Sequence, residues 1–176
     1  MTRNAFMDCV SSGADNEMND MVTVLVVYDS KTGNTEKMAE AVSEGVASVS
    51  GVTVVKHKLG EKFSMKEFGD SSGIIIGSPT IYSGVTPEMR HLLESLDDMR
   101  KSKQINLRGK VGAGFGSYGW SGEALERITG ALKILGLDVV SKALRVVENP
   151  GPQDLEKCRQ LGKDVAEKAA KKSSKK

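Results

Sequence analysis

Val22–Tyr28, VTVLVVY, is almost wholly β-branched or aromatic, the pattern of a strand buried on both faces. Beyond it, Met38, Ala41, Val42, Val46 and Val49 recur at three- and four-residue steps, which predicts a helix that Gly51 ends. Val52–Lys58, VTVVKHK, alternates in the manner of an edge strand, and Gly73–Gly77, GIIIG, is a short central one. Pro87 opens a helix striped by Met89, Leu92, Leu93 and Leu96. Lys110–Trp120, KVGAGFGSYGW, begins as a strand and passes into a glycine-laden loop. A helix follows, with Ser121 and Glu123 near its start and Gly136 at its end. Asp138–Val147 reads as a fifth strand, and Leu155, Cys158, Leu161 and Val165 share one face of a closing helix.

This β-α alternation predicts an α/β fold, a doubly wound five-stranded parallel sheet with helices on both faces. Such sheets commonly take the order 2-1-3-4-5 and bind ligand at the carboxyl ends of the strands, around the switch point. In that order the loops after the first and third strands lie together, with the loop after the fourth beside them. Those three loops have the unusual compositions.

Length and charge narrow the picture. The 176 residues suit one domain, and 39% apolar with 27% charged residues fits neither a disordered chain nor a membrane protein. No apolar run approaches a bilayer span, so no membrane span is expected. Residues 1–20 have no apolar block after Arg3 and carry Asp8, Asp15, Glu17 and Asp20; they read as a loose N-terminal extension, not a secretory signal. The folded unit is expected over 21–168, and 169–176 as a lysine-rich tail. Net charge is +2, but the tail lysines supply it and the body is near neutral. Such a tail gives a weak, salt-sensitive attraction to polyanions and is accounted for as a solvated helix end, so nucleic acid is not expected as a partner. Cys9 and Cys158 form no CxxC pair and suggest neither a disulfide framework nor a thiolate metal site, which fits a reducing cytoplasm. His57 and His91 are too few for a histidine metal centre, and no metal site is expected.

The first loop packs Ser30, Lys31, Thr32, Gly33, Asn34 and Thr35 between a strand and a helix. Hydroxyls, an amide and free backbone N–H groups at the positive end of a helix suit a phosphate. An ordinary turn and helix cap would account for two or three of these residues. GxxxxGK[ST] is absent, and so is GxGxxG at this loop. Gly77–Pro87, GSPTIYSGVTP, and Gly114–Glu123, GFGSYGWSGE, join small residues to Tyr82, Tyr118 and Trp120. Small residues let a backbone approach a flat ligand and aromatic rings stack on it; the same rings could instead cover the loops or the core.

SKTGNTEKMAEAV after a buried strand resembles the FMN-phosphate loop of flavodoxins, and the likeness extends over about Met21–Lys168. GSPTIYSGVTP and GFGSYGWSGEA resemble more specifically the flavodoxin domain of A-type (flavodiiron) flavoproteins. The last-strand insertion of long-chain members is lacking, so the short-chain form is implied. By this resemblance Ser30, Lys31, Thr32, Gly33, Asn34 and Thr35 would wrap the phosphate, Lys31 mainly through its backbone. Ser78, Pro79, Thr80, Ile81 and Tyr82, with Gly84, would border the ribityl chain and ring, and Ser117, Tyr118, Gly119 and Trp120 would flank the ring from the other side. Flavodiiron proteins also carry a His- and carboxylate-rich metal domain, for which two histidines do not provide; its oxygen and nitric oxide chemistry is not carried over.

The resemblance implies a flavodoxin, a monomeric, cytoplasmic, non-catalytic carrier moving electrons through FMN between a donor and an acceptor redox protein. The alternative is an NAD(P)H-dependent flavin or quinone oxidoreductase on the same fold, which needs a second pocket over the flavin. A phosphorelay receiver domain shares the sheet order but needs clustered carboxylates at strand ends, where this chain has GSPT. Acids near the loops are few: Asp29, Glu88 and Glu123. Few carboxylates imply a reduction potential less negative than that of a strongly acidic member.

Overall fold

A computed structural model describes residues 21–120 and 122–175 of the chain. The expected extension over 1–20 therefore lies outside the described residues, as does Ser121. Six strands and five helices follow one another as β1 (Val22–Tyr28), α1 (Asn34–Ala47), β2 (Val52–Lys58), α2 (Lys66–Asp70), β3 (Gly73–Gly77), α3 (Pro87–Lys101), β4 (Val111–Tyr118), α4 (Glu123–Ile134), β5 (Asp138–Val139), β6 (Leu144–Val147) and α5 (Pro152–Ser173). The sheet runs β2-β1-β3-β4-β5, with β6 also on β4, and all the pairings are parallel. This is the doubly wound order that the alternation predicts, and β2 is an edge.

β1 shows why both faces must be covered. Val22, Val24, Val26 and Tyr28 join a core with Met38, Val42 and Val46 of α1 and Leu161 and Val165 of α5. Leu25 and Val27 point the other way, into a core with Met89, Leu92 and Leu96 of α3 and Leu125, Ile128 and Leu132 of α4. Neighbouring β-strand residues face opposite sides, so a helix layer on each face is the only way to bury such a run.

The fifth strand differs from expectation. Val139 pairs with Gly112 and Leu144 with Phe115, so Val140–Ala143 stand opposite only Ala113 and Gly114. The surplus loops out, with Ser141 and Lys142 exposed, and splits one strand into β5 and β6. β4 also differs, because it stays a strand through Tyr118 instead of opening into a loop at Gly114. Its glycines serve close packing. A Cβ on Gly114 would stand 2.9 Å from Ile128 of α4, and one on Gly116 would stand 1.9 Å from the Ser78 carbonyl. The short α2 carries no periodic signal of its own and is anchored by buried Phe68 and by Glu67, which lies 2.6 Å from His57 Nε2 on β2.

α5 runs to Ser173, with Ala169 buried. Asp138 of β5 holds it by ion pairs to Lys168 and Lys172 at 3.1 and 2.7 Å, and Lys172 also donates to the Gly109 carbonyl. α5 and α1 approach backbone to backbone. A Cβ on Gly45 would lie 1.9 Å from the Arg159 carbonyl oxygen, and one on Gly162 would lie 2.0 Å from that of Val42.

Gly162→Ala must force the two helices apart, because its neighbour is backbone and cannot rotate away. The expected cost is about 1–3 kcal/mol or more, read as a lowered midpoint in urea unfolding. Asp138→Asn tests the ion pairs. Hydrogen bonds from Lys172 and then Lys168 hold the Asp138 carboxyl below its ordinary 3.8. A lowered folded pKa stabilises above the unfolded value and is lost as pH falls through the folded one. Wild type should therefore exceed Asp138→Asn by up to about 1 kcal/mol at pH 7, a gap that closes as the pH is taken well below 3.8.

Candidate functional site

The loops after β1, β3 and β4 meet at the carboxyl ends of the strands, and hydrogen bonds join them in sequence. Asp29 N–H donates to the Gly77 carbonyl at 2.9 Å, tying the end of β1 to that of β3. Ser78 and Thr80 then donate to the carbonyls of Phe115 and Ser117, so GSPT runs beside β4 as a short extension of β3. Pro79 falls between these donors, where its missing N–H costs nothing. Thr35 Oγ1 and Ser117 Oγ close the circuit at 2.9 Å in a buried position.

Within the first loop, Ser30 Oγ accepts from the N–H groups of Gly33 and Glu36 at 3.1 and 3.2 Å. Asp29 Oδ1 accepts from Ser30 N–H at 2.8 Å. Gly33 sits at φ +87°, the left-handed turn that starts α1. These bonds leave the N–H groups of Lys31, Thr32, Asn34 and Thr35 without an acceptor among the described residues. Four donors without a partner thus stand at the positive end of a helix, an arrangement that suits an anion. Ser30 spends its lone pairs on the cap but keeps its hydroxyl proton to donate. The cap and phosphate readings of this loop are thus compatible, since one side chain shapes the turn and the others stay open.

The second loop is a two-residue hairpin. Ile81 and Gly84 exchange N–H···O bonds of 2.9 Å, and Tyr82 and Ser83 between them take φ +46° and +60°. Left-handed backbone at a non-glycine residue costs about 1–2 kcal/mol, and the turn presents Tyr82 fully exposed. Trp120 is equally exposed beyond the end of β4, with Gly119 exposed before it. Tyr118 is half-buried and packs against the α3/α4 core, so it is the one ring of the three that serves as cover. Thr80 Oγ1 is buried without a hydrogen-bond partner among the described residues.

Several residues here went unnoticed in the sequence. Thr86, wholly buried, caps α3 through a bond from Met89 N–H; the Thr-Pro pair before the helix was the available signal. Lys37 reaches Asn149 at 2.8 Å, joining α1 to the loop before α5. Glu36 binds both Tyr28 Oη and Lys58. The lysine, then the phenol, holds its carboxyl below the ordinary value, while burial and then Glu36 raise the Tyr28 phenol. No spacing rule reveals these links across the chain. Among the described residues, no group of three or more His, Cys, Asp or Glu is placed to hold a metal ion.

A parallel α/β sheet in this order, with unpaired N–H groups and exposed rings on the loops at its switch point, defines a protein of the doubly wound class. Within that class, residues 26–162 match the flavodoxin family, and the chain belongs to it. It is 34% identical over 162 residues to a type A flavoprotein, fprA, of Rhodobacter capsulatus, covering 90% of this chain and 36% of that one. Against an anaerobic nitric oxide reductase flavorubredoxin of Aeromonas hydrophila the identity is 33%, covering 87% and 30%. Among solved structures, a flavodoxin from the domain Archaea shares 36% identity at a TM-score of 0.76, covering 85% of this chain and 99% of that one. Rubredoxin oxygen:oxidoreductase from Desulfovibrio gigas shares 29% at 0.78, covering 85% and 36%. The chain thus spans about a third of the curated relatives it matches. Family membership implies a flavin cofactor and a part in electron transport. No helix among the described residues is long and apolar enough to cross a membrane.

Ser30→Ala should lower stability by about 1 kcal/mol in chemical unfolding, since it strands two N–H groups at the start of α1. An unchanged midpoint would mean that solvent satisfies them equally well.

Proposed function

We propose that this chain is an FMN-binding electron carrier that passes electrons between redox partner proteins. The observation carrying this reading is the pairing of four unpaired N–H groups around Lys31–Thr35 with two fully exposed rings, Tyr82 and Trp120, on adjoining loops. A phosphate at the first loop would take those donors together with the hydroxyls of Ser30, Thr32 and Thr35 and the Asn34 amide. Ser78, Pro79, Thr80, Ile81, Tyr82 and Gly84 would border one side of the ring system, and Ser117, Tyr118, Gly119 and Trp120 the other. Thr80 Oγ1, buried and unpartnered, fits a site completed by a ligand. Bound FMN supplies the one- and two-electron chemistry; the protein binds it, orients it and sets the charge around it.

The short hairpin and the four residues between Tyr118 and Glu123 offer little wall for a nicotinamide pocket, which supports a carrier over an oxidoreductase. The resemblance to free-standing flavodoxins supports a monomer. Cys158 is buried and free, and burial pushes its thiol up to about 12, in keeping with a reducing cytoplasm. The reactions named for the longer relatives belong to proteins of which this chain matches a third, and we assign none of them here.

The test is anaerobic. The purified chain is loaded with FMN, NADPH is added, and the visible flavin band is followed. Persistence of the band, with bleaching by dithionite or by a flavodoxin reductase, is the expected outcome. Rapid bleaching by NADPH alone would make the chain an oxidoreductase that accepts hydride directly. Failure to retain FMN would remove both readings.

A further inference from the structure

Lys31, though partly exposed, reaches across the mouth of the site to two carboxylates. Its Nζ lies 3.0 Å from Glu88 Oε1, on the first turn of α3, and 3.4 Å from Asp29 Oδ2 at the end of β1. Asp29 is only 3% exposed, and its Oδ2 has no hydrogen-bond partner among the described residues. Burying a carboxylate oxygen without a hydrogen bond is unfavourable unless a cation stands close. The lysine is the cation that the structure places there. Glu88 is held below its ordinary carboxyl value by its own backbone N–H and then by Lys31, and the Lys31 ammonium is raised chiefly by Glu88.

From this geometry we propose that Lys31 is a positioning residue, an internal counter-ion that neutralises Asp29 and Glu88 and so sets the affinity of the site for phosphate and the reduction potential of its flavin. The proposal deepens the FMN reading and rests on it for the potential. The backbone of Lys31 belongs to the anion receptor while its side chain is engaged with the two carboxylates, so one residue serves the loop in two ways.

At neutral pH the trio Asp29, Lys31 and Glu88 carries a net charge of about −1. Lys31→Gln makes it about −2, Glu88→Gln about 0, and the double variant returns it to about −1. An anion near these groups should follow that sum. A reduced, anionic flavin should be held roughly threefold to tenfold less well relative to oxidised flavin in Lys31→Gln than in wild type. For a two-electron couple that is a midpoint lowered by about 15 to 30 mV. Glu88→Gln should shift it upward by a similar amount.

Two measurements on the full chain separate this idea from the reading beneath it. Inorganic phosphate is titrated into flavin-free wild type, both single variants and the double variant, at low ionic strength where charge is least screened. The midpoint of each FMN-loaded protein is then measured against a reference dye. The expected order in both is Glu88→Gln highest, wild type and the double variant together, and Lys31→Gln lowest. A double variant that stays with Lys31→Gln would overturn the proposal, because the ammonium would then act by direct contact with the phosphate. Four proteins alike, or a loop that takes phosphate in none of them, would overturn it too. If wild type retains no FMN, the carrier reading is lost while the phosphate order still decides the role of Lys31.

Discussion

Two hydroxyls, on Thr35 at the start of α1 and on Ser117 near the end of β4, meet at 2.9 Å in a buried position. Elements 82 positions apart share that bond, and the same Ser117 accepts from Thr80 N–H through its carbonyl. One residue therefore sets the spacing of all three loops. The Ser30–Thr35 turn, the GSPT segment and the strand leading to Trp120 cannot move independently without leaving a buried polar group unpaired, which costs more than a typical hydrogen bond contributes. Gly116, next to Ser117, makes the arrangement possible, since a side chain there would collide with the Ser78 carbonyl. These loops are tied together by hydrogen bonds at their base, while Tyr82 and Trp120 stand in solvent at the rim.

This division explains what the sequence could show. Strand and helix identities were legible because burial imposes a period: β1 needs apolar residues toward both helix layers, and α3 needs a stripe toward one. The parallel sheet followed from alternation and crossover handedness, and its order is the common one for five doubly wound strands. The polar excess of Ser30–Thr35 was legible too, because a turn followed by a helix needs few polar residues and this one has many. What the pattern misread were glycines. Gly114 and Gly116 look like loop residues when read locally, yet in a buried strand one lies opposite α4 and the other opposite a neighbouring backbone. Composition alone does not distinguish a glycine that gives freedom from one that gives room.

Contacts across long stretches of chain were beyond reach for a related reason. The Lys31–Glu88 pair spans 57 positions and Lys37–Asn149 spans 112, and no periodicity connects them. The split between β5 and β6 was equally hidden. Val140–Ala143 sits inside what reads locally as one strand, and only the pairing to β4 reveals two residues too many. Register is a property of two strands, so one strand read alone cannot disclose it.

Charge at the rim completes the functional reasoning. Buried acids around an electron-accepting group oppose its reduction, and a chain can answer by removing them or by pairing them. This one does both: carboxylates near the loops are sparse, and Asp29 and Glu88 share a lysine drawn from the anion loop itself. The Lys31–Glu88 contact is solvent-exposed and adds little to stability. Lys31 also stands 3.4 Å from the nearly buried Asp29, so its charge bears on the field that an anion bound at this loop would feel. That field is strongest where solvent is excluded, and Asp29 lies at that boundary, between the sheet and the loop.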